Sequence, residues 1–371
     1  MPPRREVRTK NVHDPSSSRA HKRTRQAREP EPTFDSARFV NEGAEKRFYE
    51  VIQHEKLTDS QFYDLESLGK VGLNVGSRFR EIGIAKMVTL RKPTYELLVK
   101  EFYANFSASS DDLGDTVIRS KVMGVEITFE ESDLANWFEL ANEGYKCKGS
   151  FQYKTENAGT DDDSSDVEEV EVLSKNEVRE YLASQAVIEI VGANTKFEQN
   201  DFGPVMRMVY GAITRNITPK HNTQHKMVER DLEMMYHILK GNKVNFAFSV
   251  MDWMMEKAAI LHSPNYKDTW QQKKAGLPYG SMLTDIFERF GVDLSNLKGT
   301  PITRNQTVHE GMLRSMKLYR TLNRGWVFYP YLREGDRLAD PRDPFPTPEE
   351  QVFRRDGSGA AVTDDPNHPR P

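Results

Sequence analysis

The chain has 371 residues, 37% of them hydrophobic and 29% charged, which is enough apolar material for one large or two modest cores. Its single cysteine, Cys147, excludes an intramolecular disulfide and a multi-cysteine metal site. With no apolar h-region after the opening arginines and no apolar run of about 18 residues, an intracellular protein that is neither secreted nor membrane-spanning is expected.

Charge divides the chain further. Residues 1–28 hold nine basic residues against two acidic ones, residues 156–171 hold eight acids and no base, and residues 333–371 hold nine acids against six bases. The remaining body is neutral, so its total charge does not imply a strongly basic nucleic-acid face. Three regions are expected: a disordered basic tail over 1–35, a folded region over 36–330, and a disordered Pro-rich tail over 331–371.

In chain order, Phe39, Ala44, Phe48, Val51 and Ile52 recur at helical spacing. Val75, Phe79, Ile82, Ile84 and Met87 predict a second helix. Pro93 suits the first turn of a third, whose Tyr95, Leu98, Phe102 and Phe106 form one stripe. Residues 117–122 and 125–129 alternate as strands around a Met123-Gly124 turn, a hairpin signal. Thr128 and Glu131 have capping-box spacing before a helix that buries Leu134, Trp137 and Phe138. Residues 144–172 read as an acidic surface insertion.

A second capping-box pattern, Ser174 with Glu177, precedes Val178, Tyr181 and Leu182. Pro204 opens a helix through Ile213 that ends before Thr218-Pro219. Helices follow over Met227 to Leu239, with Gly241 as terminator, then Phe246 to Leu261 and Ser281 to Phe290. Thr307 to Leu322, with Thr307 and Glu310 as a capping box, predicts one more. Strands do not alternate with helices, so the expected fold class is mainly α: a multi-helix globular body of about nine helices with one small antiparallel β-hairpin. Leu98, Phe102, Val125, Ile127, Phe129, Trp137, Phe138, Trp253 and Phe287 are expected in its core.

The motifs offer little chemistry. His221 and His225 share the i, i+4 spacing of a helical zinc pair, but Asn222 stands where a metalloprotease would hold its glutamate. The acidic run sits in a Ser-rich segment rather than on rigid elements, as a solvated loop would. Asp115, Asp133, Asp201 and Asp231 read as turn, cap or helix-surface residues. Cys147, between Lys146 and Lys148, reads as an incidental surface thiol with its pKa somewhat lowered. The Met-rich helices ERDLEMMYHILKG and SVMDWMMEKAAIL read as core filling. No catalytic, cofactor-binding or metal residue is expected, and no cofactor. HKRTRQAR gives His21, Lys22, Arg23, Arg25 and Arg28 as candidate nucleic-acid or nuclear-import contacts.

Five segments taken in order carry a resemblance: LGKVGLNVGSRFREIGI, LVKEFYANF, VIRSKVMGVEITFEESDLANWF, RNITPKHNTQH and LPYGSMLTDIFERFGVDL. Together, over Phe39 to Phe328, they resemble the putative plant transposon protein domain, with a looser similarity to the plant mobile domain. The resemblance implies a plant protein related to mobile-element sequences and brings no catalytic residue with it. A non-enzymatic, nuclear interaction module with an unidentified protein partner is the leading expectation. The alternatives are a capsid-like element protein binding nucleic acid through the basic N-terminal arm, and a divergent transposase or nuclease.

Overall fold

Apolar residues three and four apart form helices over nearly half of the described residues. A computed structural model describes residues 34–110, 116–154, 170–186, 196–220, 224–266, 276–322, 324–329 and 332–339. The expected tails therefore lie largely outside the described residues, as do His221 and most of the acidic run. The described residues hold eleven α-helices: α1 (Glu42–Glu50), α2 (Leu65–Lys70), α3 (Val75–Glu81), α4 (Ala85–Val88), α5 (Glu96–Ala104), α6 (Glu131–Phe138), α7 (Lys175–Gln185), α8 (Pro204–Ala212), α9 (Glu229–Lys240), α10 (Phe246–Leu261) and α11 (Gly280–Arg289). Pro204 sits in the first turn of α8 and Gly241 ends α9 with φ +78, both as expected.

The expected hairpin forms from β3 (Thr116–Val122) and β4 (Val125–Glu130), which pair antiparallel with Val122 opposite Val125. Met123 and Gly124 between them both have positive φ, 49° and 83°, as a type I′ turn requires. It is not the lone hairpin that was expected. β2 (Ser107–Ser110) adds a third strand beside β3, and three two-stranded sheets stand elsewhere. These pair β1 (Phe62–Tyr63) with β7 (Thr307–Val308), β5 (Gln152–Lys154) with β6 (Val170–Val172), and β8 (Leu318–Thr321) with β9 (Gly325–Phe328). Strands of two to four residues are too short to show a period, and β2 reads Ser-Ala-Ser-Ser with no apolar alternation.

The helix expected over Thr307 to Leu322 is corrected. That stretch is β7, a 3₁₀ turn over Glu310–Met312, and β8. Met312, Leu313 and Met316 imitate helical spacing, but pairing of Thr307 with Phe62 and the φ of +58° at Lys317 break the run. Residues 332–339, expected in the C-terminal tail, extend the β8 and β9 sheet: the Ala339 amide donates to the Arg320 carbonyl, and Asp336 pairs with Arg324.

Two helices are buried on every side, as apolar helices at the centre of a body should be. Leu98 to Ala104 of α5 are all buried, and so is every residue of α8. Phe102 is the hub of the first half. Its ring lies 5.4 Å from Tyr103, 6.4 Å from Phe129 on β4 and 6.2 Å from Phe287 on α11. Of the residues expected in the core, Val125 and Trp137 are only partly buried, packed against it from outside.

Candidate functional site

Polar chemistry inside the body is organised by α8 and α9. Beyond Ala212 the helix continues as a π-turn over Ile213–Ile217, and Thr218-Pro219 then brings Lys220 back across α8. Buried Lys220 forms an ion pair with buried Asp231 and donates to the Lys226 carbonyl at 3.1 Å. Asp231 also accepts from the Val228 amide at 2.8 Å, which caps α9, and lies 3.1 Å from the Tyr210 hydroxyl. Burial lowers the Lys220 pKa while Asp231 opposes the shift, and burial together with Asp231 pushes the Tyr210 phenol far up. The carbonyls at and just beyond the end of the π-turn are satisfied from α10 and from the residue before α11: Trp253 Nε1 donates to Pro219 at 3.1 Å and the Tyr279 hydroxyl to Ile217 at 2.6 Å.

The other flank of α9 holds the segment that follows Gly144. Fully buried Glu233 accepts from the amides of Gly149 and Phe151, both at 2.6 Å. His237 stacks on Tyr145 with ring centroids 3.8 Å apart, and burial lowers its pKa to about 4. Cys147 is fully buried, not the surface thiol expected from its lysine neighbours. Burial, helped by Glu233, pushes its pKa well up. Asp231, read from the sequence as a turn, cap or helix-surface residue, is a cap that is buried, and with Glu233 and His237 it lies inside along one helix. They are engaged by the protein's own groups: the Lys220 ammonium, the Tyr210 hydroxyl, backbone amides and the Tyr145 ring. Among the described residues no group of three or more His, Cys, Asp or Glu could hold a metal ion.

A different set of side chains faces solvent. Between β1, the start of α2 and the turn after β7 lies an open cleft of about 530 Å³. Phe62 forms part of its lining because β1 pairs in parallel with β7, placing Phe62 opposite Thr307. The Arg91 guanidinium lies over the Phe62 ring, 5.3 Å from its centroid. Asp64 caps α2 by accepting from the Ser67 amide at 3.0 Å, and the Ser67 hydroxyl oxygen accepts from the Glu310 amide at 3.1 Å. Nδ1 of His309 accepts from the Gly311 amide at 3.0 Å, which leaves the ring proton on Nε2. Arg304 and Lys70 complete the cationic side of the cleft, with Lys70 joined to Glu66 at 2.7 Å. Arg91 and Arg304 make no hydrogen bond or ion pair among the described residues.

Sequence reading missed this cleft because its walls come from three segments, near residues 62–71, 91 and 304–310. A helix predicted over 307–322 also concealed the strand that aligns them. The expected contacts His21, Lys22, Arg23, Arg25 and Arg28 lie outside the described residues. Of the histidine pair, His225 is exposed and its carbonyl accepts from the Gln199 amide at 2.9 Å.

Among the described residues no helix is long and apolar enough to cross a membrane. No curated protein and no solved structure matches the chain. Residues 80–293, more than half of the chain and lying inside the span expected from the resemblance, match the Putative plant retrotransposon-related domain. That stretch runs from α3 through α11 and contains both buried central helices, α5 and α8. The chain belongs to the Putative plant retrotransposon-related domain family.

Proposed function

We propose that the chain is a non-enzymatic interaction module of transposon origin that works in the nucleus and engages a protein partner through the outside of its folded body. Family membership supports the origin. The observation that carries the non-enzymatic reading is the use made of the interior acids and bases. Lys220 and Asp231 pair with each other and hold the entry to α9 through the Lys226 carbonyl and the Val228 amide, and Glu233 holds two backbone amides of the segment after Gly144. A general acid or base must reach its substrate, and these groups are closed in and engaged with the fold.

The test is recovery of the tagged full chain from plant nuclei, with and without nuclease. Protein partners that persist after nuclease treatment are expected. Loss of every partner would instead support the second reading, nucleic-acid binding through the basic arm, which the nine bases of residues 1–28 favour. In that case deletion of residues 1–28 abolishes salt-sensitive binding in a filter assay.

A further inference from the structure

We infer that the cleft beside β1 and β7 binds a phosphate monoester. Four side chains with donors that have no carboxylate partner line it: the guanidinium groups of Arg91 and Arg304, the Nε2 proton of His309, and the Ser67 hydroxyl proton, since Ser67 Oγ already accepts from the Glu310 amide. Arginine suits this role because its planar fork offers two parallel hydrogen bonds to an oxyanion. Arg91 is held in place by the Phe62 ring, so less side-chain freedom is lost when it takes a ligand. His309 is held in one tautomer by the Gly311 amide, with its donor nitrogen left for the ligand.

The acids nearby define the ligand's size. Asp64 and Glu310 line the cleft, Glu66 stands beside Lys70, and one Asp64 oxygen is engaged by the α2 cap. A long polyanion crossing this rim meets those carboxylates. A single terminal phosphate, carrying about 1.5 to 2 negative charges near neutral pH, can reach the donors between them. The cleft therefore favours a compact dianion over a nucleic-acid strand. Two sources share that chemistry: a phosphorylated serine or threonine side chain, and a free small phosphate monoester. The site stands whether or not a protein partner exists.

The experiment is titration calorimetry on the full chain with a phosphoserine peptide, its unphosphorylated twin, a nucleoside monophosphate and an oligoribonucleotide lacking terminal phosphates. Binding of the phosphorylated ligands, at least tenfold tighter than that of the twin or the oligoribonucleotide, is the expected result. A tenfold or greater preference for the peptide over the nucleoside monophosphate assigns a protein source; equal affinity or the reverse preference assigns a small molecule. R91Q and R304Q, both at exposed positions, should each weaken binding at least tenfold with the thermal unfolding midpoint unchanged. Absence of phosphate-dependent binding, equal binding of the oligoribonucleotide, or undiminished binding by the folded double variant would overturn the assignment.

Discussion

A histidine stacked flat on a tyrosine inside a protein is a pH-sensitive load. In the unfolded chain His237 takes up its proton near its ordinary pKa of 6.5, whereas in the fold burial holds it down to about 4. Between these values the unfolded chain binds more protons than the folded one. Stability is therefore intact above pH 6.5 and is lost as pH falls from 6.5 towards 4, by roughly 3 kcal/mol at most. His262, whose ring contacts the Tyr103 carbonyl, is lowered in the same direction by burial. His237→Phe keeps a flat ring against Tyr145 and removes one titration while leaving the other. Urea unfolding at pH 7 and pH 4.5 should show the parent chain losing about 2 kcal/mol more than this variant. Parallel losses would mean that His237 takes up its proton as readily in the fold as in the unfolded chain.

At the scale of elements, the segment entering at Gly144 is fastened by main-chain geometry. Gly144 has φ +93, and an added Cβ would lie 2.3 Å from the Lys243 carbonyl oxygen in the turn that joins α9 to α10. Gly291 has a similar φ of +76 at the end of α11 but open space where a Cβ would go. Gly291→Ala should cost about 1 kcal/mol for the left-handed backbone alone. Gly144→Ala adds a backbone collision and should cost on the order of 3 kcal/mol. Thermal denaturation compares the two, and equal midpoints would show that the segment yields without cost. Some of this level was legible in the sequence. The hairpin showed in its alternation, α8 in Pro204, and the end of α9 in Gly241. The capping box before α6 was placed two residues early, at Thr128 and Glu131, whereas Glu130 and Asp133 form it. The register of polar residues that all favour caps does not by itself select one pair. β1, β7 and the cleft between them were not legible, because a two-residue strand has no period and its partner lies more than two hundred residues away. Nor was the inward turn of Cys147 and Glu233, since lysine neighbours report local charge and not which face a long-range contact will cover.

For the molecule as a whole, the question is how much chain makes one cooperative unit. The family match begins at residue 80 and ends at residue 293, but the core ignores both limits. From the N-terminal side, Phe39, Phe48, Ile52, Tyr63 and Val75 are buried in the same cluster as Phe102 and Phe287. From the C-terminal side, Val308, Leu313, Leu318 and Phe328 join it. Polar contacts cross the limits as well. Arg38 pairs with buried Glu101, Arg47 donates to the Ala104 carbonyl at 3.0 Å, and Lys100 donates to the Gln53 carbonyl at 2.8 Å. The Tyr63 hydroxyl lies 3.2 Å from the Met208 carbonyl, Asn216 of the π-turn accepts from the Gln61 amide, and Thr94 and Thr300 exchange backbone hydrogen bonds. Cutting at residues 80 and 293 would expose apolar faces of α5 and α8 and leave Glu101 and Asn216 without these partners. Each fully exposed large side chain forfeits about 1.5–3 kcal/mol of burial, and a folded domain has only about 5–15 kcal/mol in reserve. A fragment of residues 80–293 should therefore show no cooperative urea transition and should bind a hydrophobic dye, as a loosely packed state does. A fragment of residues 34–339, which retains both flanks, should unfold in one step. A shared midpoint for the two fragments would place the unit inside the family limits and make the flanking strands and helices an addition to a core that stands without them.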